Sequence, residues 1–332
     1  MTQSQHLSRR GFLRISAILG LGVSAGGWLL AHETAAVTVS ETRLLMGSIA
    51  NLTVVSADAA HARLALTAAF DRMQALEAIF SRFQPESWLS RLNRTGSVRG
   101  MPPEFRTVID QAVKIGDLSE GAFDISVEPL LALYRAAARS GDRPDAVAVK
   151  AARALIDYRA IDIRSDQVRL LRPGMALTLD GIAKGYIIDE GIRTLEAYGL
   201  TKAMVEVGGD LHARGPEPWH IGIQSPHAAP DAISRVVEVH NQALTTSGDY
   251  VSTFTDDRSL HHILDPRSGL SPTELSSVSV TAGSACTADA LSTALMVMGV
   301  ESGVRLLQRM ESVSALFIGK DGRVTASSRG ST

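Results

Sequence analysis

The sequence predicts an α+β fold built as one continuous globular unit, and three observations carry the prediction. Helix-period and strand-period hydrophobic patterns alternate after residue 36, with no low-complexity linker, internal repeat or charge block between them. Two turn sequences, Arg164-Ser165-Asp166-Gln167 and Asp321-Gly322, join strand-like segments into antiparallel hairpins. The fingerprints of parallel nucleotide-binding folds are missing: no GxGxxG follows an early strand and no GxxxxGKS/T occurs. With 332 residues, 45% hydrophobic and 20% charged, the chain has material for a substantial core, which excludes a disordered or fibrous protein.

In chain order, Ser8-Arg9-Arg10-Gly11-Phe12-Leu13 comes first, followed by an uncharged Gly/Ala/Leu-rich run over 15–30 and the small pair Ala35-Ala36. This pattern predicts a twin-arginine export signal over 1–36 and a periplasmic domain over 37–332. The apolar run is shorter than a membrane span usually needs and is interrupted by glycines. Cleavage is therefore favoured over an uncleaved anchor in the inner membrane. A lone cysteine, Cys286, excludes an intramolecular disulfide, a cysteine-only zinc site and a two-thiol redox centre. The net charge of −2 supplies no field for nucleic acid or anionic lipid, so a phosphate-bearing ligand needs a local site.

Leu66, Phe70, Met73, Leu76 and Phe80 fall at helical spacing and predict a long amphipathic helix. Residues 159–179 read as two alternating segments of a hairpin, and 177–186 read as a strand entering the helix that carries Ile188, Ile192 and Leu195. Met204-Val205-Glu206-Val207 and Val278-Ser279-Val280-Thr281 read as strands. Thr287 to Gly299 reads as a helix with Thr287 as N-cap and Gly299 as stop.

That last helix separates its faces. Leu291, Ala294, Leu295 and Met298 make an apolar stripe, whereas Asp289, Ser292 and Thr293, at i, i+3 and i+4, converge near the helix start. One carboxylate with hydroxyls is a hard-oxygen surface suited to Mg²⁺, which takes one or two carboxylates plus phosphate oxygens and water. In the turn before Tyr186, Lys184 is a phosphate candidate and the Gly181 carbonyl a metal candidate. Gly208-Gly209-Asp210 and Gly121-Ala122-Phe123-Asp124 each put bare backbone beside an acid, and one histidine of His261-His262 is a candidate base. Each feature also has a structural reading. The helix dipole alone favours an acid at a helix start, and a lysine or glycine pair at a turn is commonplace. A histidine beside a proline turn is ordinarily structural, and Phe123 is equally suited to core packing.

In identity and order these blocks resemble the ApbE family of FAD:protein FMN transferases over 46–299. The blocks are Met46-Gly47-Ser48, Phe80-Ser81-Arg82-Phe83 through Asn93, Gly121 to Asp124, Gly181-Ile182-Ala183-Lys184-Gly185-Tyr186, Gly208-Gly209-Asp210, Thr246-Ser247-Gly248-Asp249-Tyr250, His262-Ile263-Leu264-Asp265-Pro266 and Ala288-Asp289-Ala290 with Thr293. The resemblance implies an α+β, T-fold-related architecture of mixed helices and largely antiparallel sheets. It implies FAD contacts at Met46, Phe83, Ala122, Phe123, Asp124, Thr178, Lys184 and Ile263. It also implies Mg²⁺ on Asp289 and Thr293 with a backbone oxygen of Gly181, Ser292 as a further ligand, and His262 as the base. Where this chain has Ser48, Thr178 and Asp180, the family usually has Thr, Asp and Gly.

The implied reaction moves FMN from FAD onto a threonine or serine of an acceptor flavoprotein subunit of a membrane or periplasmic electron-transfer system, releasing AMP. Two alternatives stay open: FAD hydrolysis to FMN and AMP at the same metal, and flavin binding without turnover. Asp289 with Thr293 argues against the second, because binding alone has little need of a metal.

Overall fold

The computed structural model describes residues 36–228 and 232–327. The expected signal segment, apart from Ala36, lies outside the described residues. In chain order the first half comprises β1 (Val37–Leu45), β2 (Ser48–Ser56), α1 (Ala59–Phe80), α2 (Trp88–Thr95), β3 (Ser97–Arg99), α3 (Pro103–Leu118), α4 (Glu128–Ser140), α5 (Ala146–Arg153), β4 (Ile161–Ile163) and β5 (Gln167–Leu170). There follow α6 (Ala183–Ala197), β6 (Ala203–Val207), β7 (Asp210–Arg214), β8 (Trp219–Gln224), β9 (Ile233–Val239), β10 (Gln242–Gly248), β11 (Leu275–Ala282), α7 (Ala285–Leu307), β12 (Ser314–Gly319) and β13 (Val324–Ser327).

Eight strands in the order β1-β2-β6-β7-β10-β11-β12-β13 make the central sheet, and every neighbouring pair is antiparallel. One face packs on α1, α6 and α7, and the other is covered by the β8–β9 hairpin. The two-sided cover explains why β6 is buried at every residue. Val205 and Val207 point into the helical core, while Met204 meets Leu211, Trp219 and Ile221 under the hairpin. A smaller cluster of Leu130, Leu131, Tyr134 and Leu264 ties the loop after β10 to α4, and the Tyr134 hydroxyl donates to the Gly269 carbonyl at 2.8 Å.

The expected α1 buries Leu66, Phe70, Met73, Leu76 and Phe80, and Asp58 caps it by accepting from Ala60 N and His61 N. Both expected hairpins form. In the first, Arg164 N–H donates to the Gln167 carbonyl. In the second, Gly322 takes the left-handed φ of 81° that the Asp-Gly turn requires.

Three local expectations are corrected. The first hairpin ends at Leu170, and 177–180 is not a strand. Its backbone partner is instead the Asn93 side chain, which accepts from Leu177 N at 2.7 Å and donates to the Leu177 carbonyl at 2.8 Å. The Asn93 amide, with the Ile125 carbonyl that accepts from Thr178 N at 2.8 Å, thus replaces a neighbouring strand. The N-cap of α7 is Ser284 rather than Thr287, and the Ser284 hydroxyl accepts from Thr287 N. Gly299 breaks the helical path at φ 75°, but helix resumes beyond it to Leu307. By composition α7 resembles a membrane span, with mean hydropathy 1.3, yet its side chains are mostly buried in the core.

Candidate active site

A cavity of ≈ 350 Å³ opens where five pieces of chain meet. They are the turn after Phe123, the start of α6, the β6–β7 turn, the loop carrying His262 and the early turns of α7, with β8 as an outer wall. The β6–β7 turn needs its two glycines, since Gly208 and Gly209 take φ of 57° and 99°. The Glu206 carboxylate holds the turn by accepting from Gly209 N at 2.7 Å and from the Asn51 amide.

Asp289 is nearly fully buried, and burial pushes its carboxyl above the ordinary range, although Lys184 pulls the other way. A buried carboxylate in this condition is stabilised by an added cation. The oxygens around it suit a hard cation. Gly185 N–H, whose helical acceptor would be the Gly181 carbonyl, donates instead to Asp289 Oδ2 at 3.1 Å and leaves that carbonyl out of the helix ladder. Gly181 and the Thr293 hydroxyl are in contact range, because a Cβ built on Gly181 would lie 3.0 Å from Thr293 Oγ1. Asp289, Gly181 and Thr293 thus all line one cavity, and a carboxylate, a carbonyl and a hydroxyl are a donor set that fits Mg²⁺ completed by water and phosphate. Among the described residues no group of three or more His, Cys, Asp or Glu side chains could hold a metal, so a zinc-type centre is not what these residues build.

The cavity's cations are already paired. Lys184 Nζ lies 2.6 Å from Asp210, Arg82 lies 2.7 Å from Asp180, and Arg135 is bonded to Glu128. Burial opposes the charge of Lys184, but Asp210, Asp289 and Glu206 outweigh it and hold its pKa above the ordinary value. Asp210 is fixed in turn by accepting from Thr246 N at 2.8 Å. An incoming diphosphate therefore meets a lysine and two arginines that are already paired, with the Asp289 carboxylate beside them, and requires a further positive charge.

The two histidines divide their roles. His261 is fully buried, with Nε2 on the Pro272 carbonyl at 3.1 Å. His262 lines the cavity, and the Ser252 carbonyl accepts from both its backbone N–H and its ring Nδ1, at 3.0 and 3.1 Å. A carbonyl only accepts, so Nδ1 carries the hydrogen and Nε2 keeps its lone pair. Burial lowers the pKa of His262 to about 4, which keeps the ring neutral.

Of the residues singled out from the sequence, Ala122, Phe123, Asp124, Thr178, Gly181, Lys184, His262, Ile263, Asp289 and Thr293 line this cavity, and Met46, Phe83 and Ser292 do not. Met46 sits in the β1–β2 turn against the core. Phe83 is 75% exposed under the Arg82 guanidinium, 4.0 Å from its ring centre. The Ser292 hydroxyl turns inward, donating to the Asp289 carbonyl and meeting Ser247 Oγ at 2.7 Å. The Asp124 carboxylate is occupied by Ser126 and by Tyr158 N, so the 3-10 turn at Ile125–Val127 is what it holds. Sequence reasoning missed the Lys184–Asp210 pair and the Ser247 link between β10 and α7. The Gly-Gly-Asp block was the available signal for Asp210, but nothing local names its partner.

Fold and cavity together define a class: an α+β protein with a cleft lined by a buried carboxylate, a paired lysine and a neutral histidine, the residue types of a phosphoryl-transfer site. The sequence profile of the ApbE family matches residues 46–317, and the chain belongs to that family. The FAD:protein FMN transferase of Treponema pallidum is 31% identical, over 94% of this chain and 91% of that protein. One from Klebsiella pneumoniae is 32% identical, over 87% and 92%. Among solved structures, the flavin transferase ApbE of Vibrio cholerae superposes with a TM-score of 0.75 at 28% identity, covering 88% of this chain and 98% of that one. The ApbE protein of Thermotoga maritima gives 0.79 at 27%, covering 87% and 97%.

Proposed function

We propose that this chain is a periplasmic, Mg²⁺-dependent FAD:protein FMN transferase that attaches FMN to a threonine or serine of an acceptor flavoprotein of a membrane or periplasmic electron-transfer system. The observation that carries the reading is that Asp289, Thr293 and Gly181, whose carbonyl is left out of the helix ladder, line one cavity with a neutral His262, in a chain of the ApbE family. Asp289, Thr293 and Gly181 would hold Mg²⁺, whose charge offsets that of the FAD diphosphate and of the transition state.

The chain's own groups account for the rest. His262 Nε2 takes the proton of the acceptor hydroxyl, while the Ser252 carbonyl keeps the ring in the tautomer that can accept it. The hydroxyl oxygen attacks the FMN-side phosphorus. A new phosphoester P–O bond forms, the diphosphate P–O bond breaks, and AMP leaves with its electron pair. Lys184, steadied by Asp210, stays charged beside the diphosphate.

Mass spectrometry of a threonine-containing acceptor domain incubated with the protein, FAD and Mg²⁺ tests this, with metal-free and Asp289→Ala controls. The expected result is acceptor labelled by one FMN with release of AMP, and silence in both controls. FMN and AMP without labelling would make the protein a pyrophosphatase toward the acceptors tried, and intact FAD would leave a flavin-binding protein.

A further inference from the structure

The N-termini of α6 and α7 meet, and each is capped by a carboxylate from the other helix. α6 has no side-chain cap of its own at Ile182, and its Gly185 N–H donates to Asp289 of α7 at 3.1 Å. In return Asp189 of α6 accepts from Ala285 N at 2.8 Å, Cys286 N at 3.0 Å and the Ser284 hydroxyl at 2.7 Å, all at the start of α7. The contact is backbone to backbone, because a Cβ built on Gly185 would overlap the Ala285 carbonyl and lie 2.7 Å from Cys286 N. A fourth donor completes the set: His212 of β7 gives its Nδ1–H to Asp189 Oδ1 at 2.6 Å. His212 and Asp210 share one face of β7, so one strand grips α6 at two points, Asp189 and Lys184.

We infer that Asp189, held by His212, is a positioning residue for the reaction: it fixes where α7 begins against α6, and thereby where Asp289 presents its carboxylate. Asp189 and His212 are buried and neither lines the cavity, so they act only through α7. The distance from cap to site is short. Asp289 is one turn beyond Ala285, and a helix freed at its capped end moves that turn first. Displacements of about 1 Å at a reacting centre cost on the order of a hundredfold in rate, so a small shift of α7 is enough to matter. The inference rests on the reading of Asp289 as the cation's carboxylate.

The test uses the full chain with FAD and Mn²⁺, and reads free Mn²⁺ by electron paramagnetic resonance beside thermal melting and amide exchange. In Asp189→Asn and His212→Leu, Mn²⁺ binding should weaken by roughly 10- to 100-fold, the range found when groups orienting a metal ligand are removed. Exchange at the Ala285 and Cys286 amides should accelerate in both. His212→Asn keeps an N–H donor near the Nδ1 position and should restore near-native binding. Should Asp189→Asn fail to fold, the His212→Leu and His212→Asn pair decides alone. Unchanged Mn²⁺ binding in His212→Leu, even with a lowered melting temperature, would reduce the pair to a structural role and overturn the inference. Asp289→Ala, with the α7 cap intact, separates the two readings. Loss of binding there upholds the ligand assignment, whereas unchanged binding overturns that assignment and this inference with it.

Discussion

Asp289 and His262 show how single side chains take their chemistry from burial. Burial lowers the pKa of His262 to about 4, and under the proposed role of its neutral ring as the base, activity is present above that pKa and lost as pH falls through it. At saturating Mg²⁺, kcat/KM should therefore stay level from about pH 8 down to about pH 5, where an ordinary histidine with a pKa of about 6.5 would already have lost most of its base form. A pH–rate profile checks this, and an acid limb near pH 6.5 would mean that water reaches the ring. His262→Ala should lower kcat by about 10²- to 10⁴-fold with FAD affinity little changed, measured by turnover against equilibrium binding. Gly181→Ala puts a methyl 3.0 Å from Thr293 Oγ1 and 3.4 Å from the Phe123 ring, so the hydroxyl must give way. Its apparent Mg²⁺ affinity should fall about tenfold, read from metal titrations of AMP release. Candidates such as Asp289, Lys184 and His262 were legible because their residue types declare their chemistry. The pairing of Lys184 with Asp210 was not, because the partners lie on different elements and only the fold brings them to 2.6 Å.

Helices and hairpins were legible where a local rule sufficed. The 3.6-residue spacing of α1 and the Asp321-Gly322 turn needed no tertiary information. The start of α7 was not legible, since Ser284 and Thr287 are both good N-caps and the Asp189 that decides between them comes from another helix. The false strand at 177–180 has the same origin, a pattern whose backbone partner is a side chain of α2. Close helix contact supplies the prediction at this scale. Gly185→Ala sets a Cβ against the Ala285 carbonyl and 2.7 Å from Cys286 N, backbone atoms that both helices hold in place. It should destabilise the protein by about 3 kcal/mol or more. At roughly 2–4 °C per kcal/mol for a chain of this size, the melting temperature should drop by about 6 °C or more in a thermal denaturation of the full chain.

The cavity is a property of the whole molecule, because its walls run from Arg82 to Thr293 and include both the helical layer and the β8 edge of the covering hairpin. The lining residues are spread over more than two hundred positions and are brought together only by the fold, so ligand binding has to follow folding. This bears on the leader. A general export route threads unfolded chains, whereas the twin-arginine route, which we propose the Ser8-Arg9-Arg10-Gly11-Phe12-Leu13 pattern addresses, carries folded ones, and a protein whose site exists only when folded suits the latter. Replacing Arg9 and Arg10 together by lysine keeps the charge of the segment but removes the twin-arginine address. Fractionation of cells expressing each form should then find the wild-type domain in the periplasm and the double-lysine form in the cytoplasm. Because Arg9 and Arg10 precede the expected domain at 37–332, domain recovered from the cytoplasm should melt and bind FAD like the exported protein. Equal export of both forms would remove the twin-arginine reading while leaving the cavity chemistry untouched, since the described residues that line the cavity run from Arg82 to Thr293.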